Sequence, residues 1–150
     1  MSLDDLDRKI LDRVQSDFPL VSRPFQVLAK ELGSTEEEVL RRIRRMQEEG
    51  TIRRIGPIFE LERLGFTSTL CAAKVSPALI DSVAEYINSF PEVTHNYLRE
   101  NEFNLWFALV APSQERISTI LEGIRHRGGV AELVSLPAER TFKINVHLKV

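Results

Sequence analysis

Val93-Thr94-His95-Asn96-Tyr97-Leu98-Arg99, then Glu100-Asn101-Glu102, then Phe103-Asn104-Leu105-Trp106-Phe107-Ala108-Leu109-Val110-Ala111 reads as strand, turn and strand. β-Branched and aromatic residues fill both arms, and Asn101 is the turn residue most tolerant of a positive φ. Successive side chains on a strand point to opposite faces. Val93, His95, Tyr97 and Arg99 are therefore expected on one face, with Thr94, Asn96, Leu98 and Glu100 on the other. On the returning strand Asn104, Trp106, Ala108 and Val110 share a face. The hairpin thus presents an imidazole, a phenol, a guanidinium, an amide and an indole. The imidazole and phenol are proton donors, the imidazole is also an axial ligand, and the guanidinium is a carboxylate clamp. A flat ligand can stack on Trp106. Plainer assignments stand beside these: a hydrogen-bonded structural His95, core or interface roles for Tyr97 and Trp106, and an Arg99 that only pairs with Glu100 or Glu102.

Working outward, Thr67 to Val75 reads as a strand and Ser76-Pro77 as the start of a helix with Ile80, Val83, Ala84 and Ile87 inward. Phe90-Pro91 ends that helix. After the hairpin, Ser113 caps a helix with Ile117, Ile120, Leu121 and Ile124 inward, and Gly128-Gly129 breaks it. Glu132 to Leu136 is a further strand, and Thr141 to Val150 another extended segment. Residues 57–150 therefore follow a βαββαβ order, the pattern of a ferredoxin-like sandwich. Such a sheet keeps one open face, which predicts dimerisation through it.

Residues 1–56 have a different rhythm. Leu6, Ile10, Leu11 and Val14 repeat at helical spacing behind Asp4, Asp5 and Asp7, whose charges suit a helix N-terminus. Pro24 opens a second helix carrying Phe25, Leu28, Ala29 and Leu32, and Gly33 closes it. Ser34 with Glu37 reads as a capping box for a third helix bearing Val39, Leu40, Ile43 and Met46. Gly50 ends it, and Thr51 to Ile55 reads as a short strand or wing. The chain is thus expected to be α+β, a winged helix-turn-helix (1–56) followed by a ferredoxin-like domain (57–150).

DNA binding is not expected of the first part. Arg41, Arg42, Arg44 and Arg45 are matched by Glu37, Glu38, Glu48 and Glu49 at helical spacing. The recognition helix would bring Glu36, Glu37 and Glu38 towards the phosphates. Residues 1–56 hold 11 Lys/Arg and 11 Asp/Glu, a net charge of zero, where DNA-binding modules are distinctly basic.

The 150-residue chain has a net charge of -2 and one cysteine, Cys71, set in an apolar run. Internal disulfides and multi-cysteine metal sites are excluded, and a buried thiol in a reducing cytoplasm is expected. No apolar run reaches the ~18 residues of a membrane span. His126, between two arginines, reads as a solvated helix end, and His147 as exposed or at an interface. No His-x-x-x-His, Cys-x-x-Cys, Walker loop or Gly-x-Ser-x-Gly is present.

The whole chain resembles the Lrp/AsnC family in Leu3-Asp4-Asp5-Leu6-Asp7-Arg8-Lys9-Ile10-Leu11, in Glu48-Glu49-Gly50-Thr51-Ile52-Arg53-Arg54, and in Leu64-Gly65-Phe66. A narrower resemblance, to the siroheme decarboxylases, is carried by Thr94-His95-Asn96-Tyr97-Leu98-Arg99 with Asn104-Leu105-Trp106-Phe107. Arg53-Arg54-Ile55-Gly56 and Leu136-Pro137, Arg140 and Phe142-Lys143-Ile144 add to it. The resemblance implies removal of carbon dioxide from the C12 and C18 acetates of siroheme, giving didecarboxysiroheme in the alternative haem pathway. It implies no separate cofactor, since iron arrives with the substrate, and a second, related subunit as partner. His95 and Tyr97 become the candidate catalytic acids, with His95 alternatively a ligand of the substrate iron. Arg53, Arg54, Arg99, Asn104, Trp106, Arg140 and Lys143 become candidate substrate-binding residues. Members of that family often carry a second histidine two residues after the motif arginine, where this chain has Asn101. That departure points to dependence on the partner. The competing expectation is an Lrp/AsnC-type DNA-binding regulator sensing a small molecule or haem.

Overall fold

The structure, a computed structural model, describes residues 3–144 and residue 148. It forms two compact units, Met1–Ile58 with Lys143–Val150, and Phe59–Phe142.

The first unit contains α1 (Asp5–Ser16), α2 (Pro24–Glu31) and α3 (Glu36–Glu48). Asp4 and Asp7 cap α1 reciprocally, each carboxylate accepting the other's backbone N–H, which satisfies two otherwise orphaned donors. The apolar stripes meet in a core of Ile10, Leu28, Ala29, Val39, Ile43, Met46 and Ile52. α2 ends where Gly33 takes φ 65°, and the Ser34 N–H then donates back to the Ala29 carbonyl at 2.8 Å. That bond makes Ser34 part of the end of α2, so the cap of α3 is Thr35, one residue beyond the expected position. Its hydroxyl accepts the Glu38 N–H. The expected wing is also absent among the described residues: 51–55 form no strand. Ile52 instead folds back, its N–H donating to the Met46 carbonyl, and Pro57 supplies no donor for a ladder beyond it.

In the second unit a 3-10 turn (Leu61–Leu64) leads into β1 (Thr67–Val75). A second 3-10 turn (Pro77–Leu79) precedes α4 (Ile80–Asn88), so this helix begins later than Ser76-Pro77 suggested. Then come β2 (Val93–Leu98), β3 (Leu105–Ala111), α5 (Gln114–Arg125) and β4 (Val130–Leu136). The four strands lie in the order β2-β3-β1-β4, and each neighbouring pair is antiparallel. This is the ferredoxin-like βαββαβ arrangement. α4 and α5 cover one face through Val83, Ile87, Ile117, Ile120 and Ile124, packed on Cys71, Ala73, Leu105, Phe107 and Leu109. Full burial of side chains this size stabilises by about 1.5–3 kcal/mol each. Cys71 lies within this core, where burial pushes its thiol up to about 11. Residues 141–144 form no strand. The rest of the expected final extended segment, with His147, lies outside the described residues apart from Leu148.

Candidate functional site

The helix-free face of the sheet is fixed by register. One cross-strand row runs Tyr97, Trp106, Ala72, Val134, and the next runs His95, Ala108, Leu70, Leu136. Leu70, Tyr97 and Leu136 are each about half exposed, at 45%, 51% and 48%. This face therefore combines an apolar floor with the polar groups of the hairpin.

Strand alternation misplaces one member of the expected row. Val93 pairs with Leu109 but His95 pairs with Ala108, so β2 carries a bulge between them. The extra residue turns Val93 to the helix-covered side, where it packs on the core. His95 and Tyr97 stay on the open face, their rings stacked at 6.1 Å between centroids and 26° between planes. Both side chains belong to exposed residues. The Arg99 guanidinium lies 6.0 Å from the Tyr97 ring centroid. The plainer alternative, an ion pair with Glu100 or Glu102, does not form among the described residues; Glu102 is taken by Lys74 of β1. Imidazole and phenol thus follow one another along the edge strand β2, with the guanidinium one residue past its end.

Two asparagines hold that strand pair from outside the ladder. Asn96 points to the helical side and donates to Asn88 Oδ1 at 3.0 Å and to the Ala84 carbonyl at 3.4 Å, tying β2 to α4. Asn104 uses both ends of its amide on Val75. Its Oδ1 accepts the Val75 N–H at 2.9 Å, and its Nδ2 donates to the Val75 carbonyl at 2.8 Å. It closes the end of β1 beside the irregularity at Lys74 and Val75. An amide engaged in this way has little left for a ligand. The Trp106 indole N–H is also taken, by the Phe103 carbonyl at 2.8 Å, which leaves the ring's apolar surface as its contribution. At the turn, the Asn101 side chain accepts the Phe103 N–H at 3.2 Å. Among the described residues only glycines adopt positive φ, so Asn101 shapes the turn by this hydrogen bond and not by a left-handed backbone.

The remaining candidates lie outside the 93–111 segment of the sequence. Arg140 lies over the Phe142 ring at 4.8 Å in the second unit. Arg53, Arg54 and Lys143 are exposed residues of the first. His126 caps the end of α5, its Nδ1 lying 2.7 Å from the Glu122 carbonyl.

On α3 three of the four arginines are occupied, Arg44 remaining exposed. Arg42 binds Asp4, Asp7 and Glu38, Arg45 binds Asp7, and Arg41 binds Glu38. Asp7 is 1% exposed. Burial opposes its ionisation, but Arg45, the Asp4 N–H and Arg42 outweigh burial and keep its pKa below the ordinary value. Asp4, bonded chiefly to Arg42, is lowered to about 2. Sequence spacing suggested only pairs within α3; the bridges to α1 depend on how the helices cross.

Known proteins share this arrangement. Residues 63–143 match the AsnC-like ligand binding domain, and Escherichia coli AsnC superposes with a TM-score of 0.83 over 100% of both chains at 19% identity. The architecture is thus that of the Lrp/AsnC proteins, a helix-turn-helix followed by a ferredoxin-like domain. Residues 7–53 match the siroheme decarboxylase NirDL-like HTH domain. The siroheme decarboxylase alpha subunit of Desulfovibrio desulfuricans is 46% identical over 147 residues, covering 98% of this chain and 84% of that one. The siroheme decarboxylase NirDL, crystallised with an iron-uroporphyrin III analogue, is 35% identical, with a TM-score of 0.67 over 95% of this chain and 48% of its own. The chain belongs to the siroheme decarboxylase family.

Proposed function

We propose that this chain is a siroheme decarboxylase subunit whose open sheet face receives the tetrapyrrole, and that His95 and Tyr97 are its proton-transfer groups. The carrying observation is the exposed His95–Tyr97–Arg99 row beside Trp106, in a chain 46% identical to a siroheme decarboxylase alpha subunit. In each acetate the bond between methylene and carboxylate breaks, and carbon dioxide leaves. The electron pair stays on the pyrrole-bound methylene carbon, which takes up one proton and becomes a methyl group. A positioned acid is worth roughly 10²–10⁴-fold in such a step. Iron enters with the substrate, and His95 is alternatively its axial ligand. Arg99 is assigned to a substrate carboxylate, where a guanidinium binds in a bidentate fork. Trp106 offers a surface for the flat ring. Asn104 is assigned to holding Trp106 in register. Arg53, Arg54, Arg140 and Lys143 are assigned to further carboxylates on charge alone.

The relative's designation as an alpha subunit supports a second, related subunit as partner. Asn101, in place of a second histidine, supports dependence on that partner for full activity. A single buried thiol supports a cytoplasmic setting, and no described helix is long and apolar enough to cross a membrane. The DNA-binding alternative is disfavoured by the carboxylates that occupy Arg41, Arg42 and Arg45 on α3. The test is anaerobic incubation with siroheme, alone and with the related subunit, followed by mass spectrometry of the tetrapyrrole. Loss of two carbon dioxide units is expected. No mass change in either sample, with folded protein and fresh substrate, overturns the reading.

A further inference from the structure

The bulge in β2 does more than displace Val93. Thr94 has no register partner, since Val93 faces Leu109 and His95 faces Ala108. Neighbouring side chains on a regular strand point to opposite faces, but here the Thr94 hydroxyl lies 3.0 Å from Nδ1 of His95. The same hydroxyl donates to the Ala108 carbonyl oxygen at 3.4 Å. A threonine hydroxyl has one hydrogen, and its lone pairs accept. A hydroxyl whose hydrogen goes to Ala108 offers His95 a lone pair, which a ring with its proton on Nδ1 can use.

We propose that Thr94 is a positioning residue for the decarboxylation: across the bulge it holds His95 as the Nδ1–H tautomer and leaves Nε2 as the nitrogen that meets the substrate. This rests on the reading of His95 as the reacting group, and it deepens that reading. Both roles open to His95 need this tautomer. An imidazolium that delivers its Nε2 proton to the methylene carbon is left as the neutral Nδ1–H ring. An imidazole that binds the substrate iron through Nε2 must also hold its proton on Nδ1. The partner that fixes one ring nitrogen decides what the other can do.

The test compares wild type with Thr94→Val, which keeps the shape and β preference but removes the hydroxyl, and with Thr94→Ser, which restores it. The His95 tautomer is read without substrate from ¹⁵N correlation spectra of the imidazoles, assigned with His95→Gln. Siroheme turnover is then measured with the second subunit present. Wild type and Thr94→Ser should show the Nδ1–H form. Thr94→Val should move towards the Nε2–H form that predominates in free histidine, with kcat reduced roughly tenfold to a hundredfold and KM within about twofold. An Nε2–H ring in wild type overturns the proposal. So does a Thr94→Val protein with unchanged tautomer, or one with shifted tautomer and unchanged kcat. Failure of wild type to turn over siroheme would count against the decarboxylase reading and would leave the tautomer result standing.

Discussion

In the helical unit, Arg41, Arg42 and Arg45 are each held by carboxylates, two of them reaching Asp7 on another helix. On the open face of the sheet, His95 and Tyr97 stand exposed, with Thr94, Arg99 and Trp106 beside them. Three arginines of α3 are engaged in the packing of the first unit, while the imidazole and phenol of β2 face outwards. The difference supports the proposal that the sheet face, rather than α3, is the working surface. It also cautions against reading function from fold, since both units have the architecture of a transcription factor.

The contrast is most easily broken at His95. His95→Ala should lower siroheme turnover by roughly 10²–10⁴-fold while leaving thermal stability unchanged; equal turnover would remove His95 from the mechanism. The mirror experiment is Asp7→Ala, which removes the nearest carboxylate of Arg45 and one of the three that hold Arg42. It should cost about 1–3 kcal/mol in urea unfolding of the helical unit, with kcat of the folded protein preserved. The same cluster sets an acid dependence. Asp4 and Asp7 have folded pKa values below the ordinary carboxylate value. Their contribution is therefore present above the unfolded-state pKa of about 4 and is lost as pH falls through the folded value, about 2 for Asp4. Helical circular dichroism between pH 5 and 2 should show a steeper loss in wild type than in Asp7→Asn. Arg99→Ala should act mainly on KM, raising it about tenfold, which corresponds to the 1.4 kcal/mol of one carboxylate contact. The smallest expected effect is on DNA: a gel-shift with the chain's own upstream DNA at moderate salt should show no tight, salt-sensitive complex. Such a complex would dissolve the contrast.

Periodicity made much of this legible. The apolar stripes around Ile10, Leu28 and Ile43, the βαββαβ order and the hairpin through Asn101 all follow from local pattern. The departures come from interactions that local pattern does not encode. Ser34 looked like a cap until the end of α2 claimed its N–H. The bulge at Thr94 broke the alternation that had placed Val93 beside His95. Asn104 looked available to a ligand because its partner, Val75, is distant in sequence. Asn96 passed unremarked because its bond to Asn88 depends on how α4 lies across the sheet. At Thr51 to Ile55 a β-rich segment found no neighbour to pair with, and propensity without a partner makes no strand.

Hydrogen exchange followed by mass spectrometry, with and without siroheme under anaerobic conditions and with the second subunit present in both samples, tests the separation most directly. Slowed exchange in peptides spanning 93–107, with peptides spanning 36–48 unchanged, is the predicted result. Protection of α3 with none in the hairpin would contradict the assignment of the sheet face as the working surface.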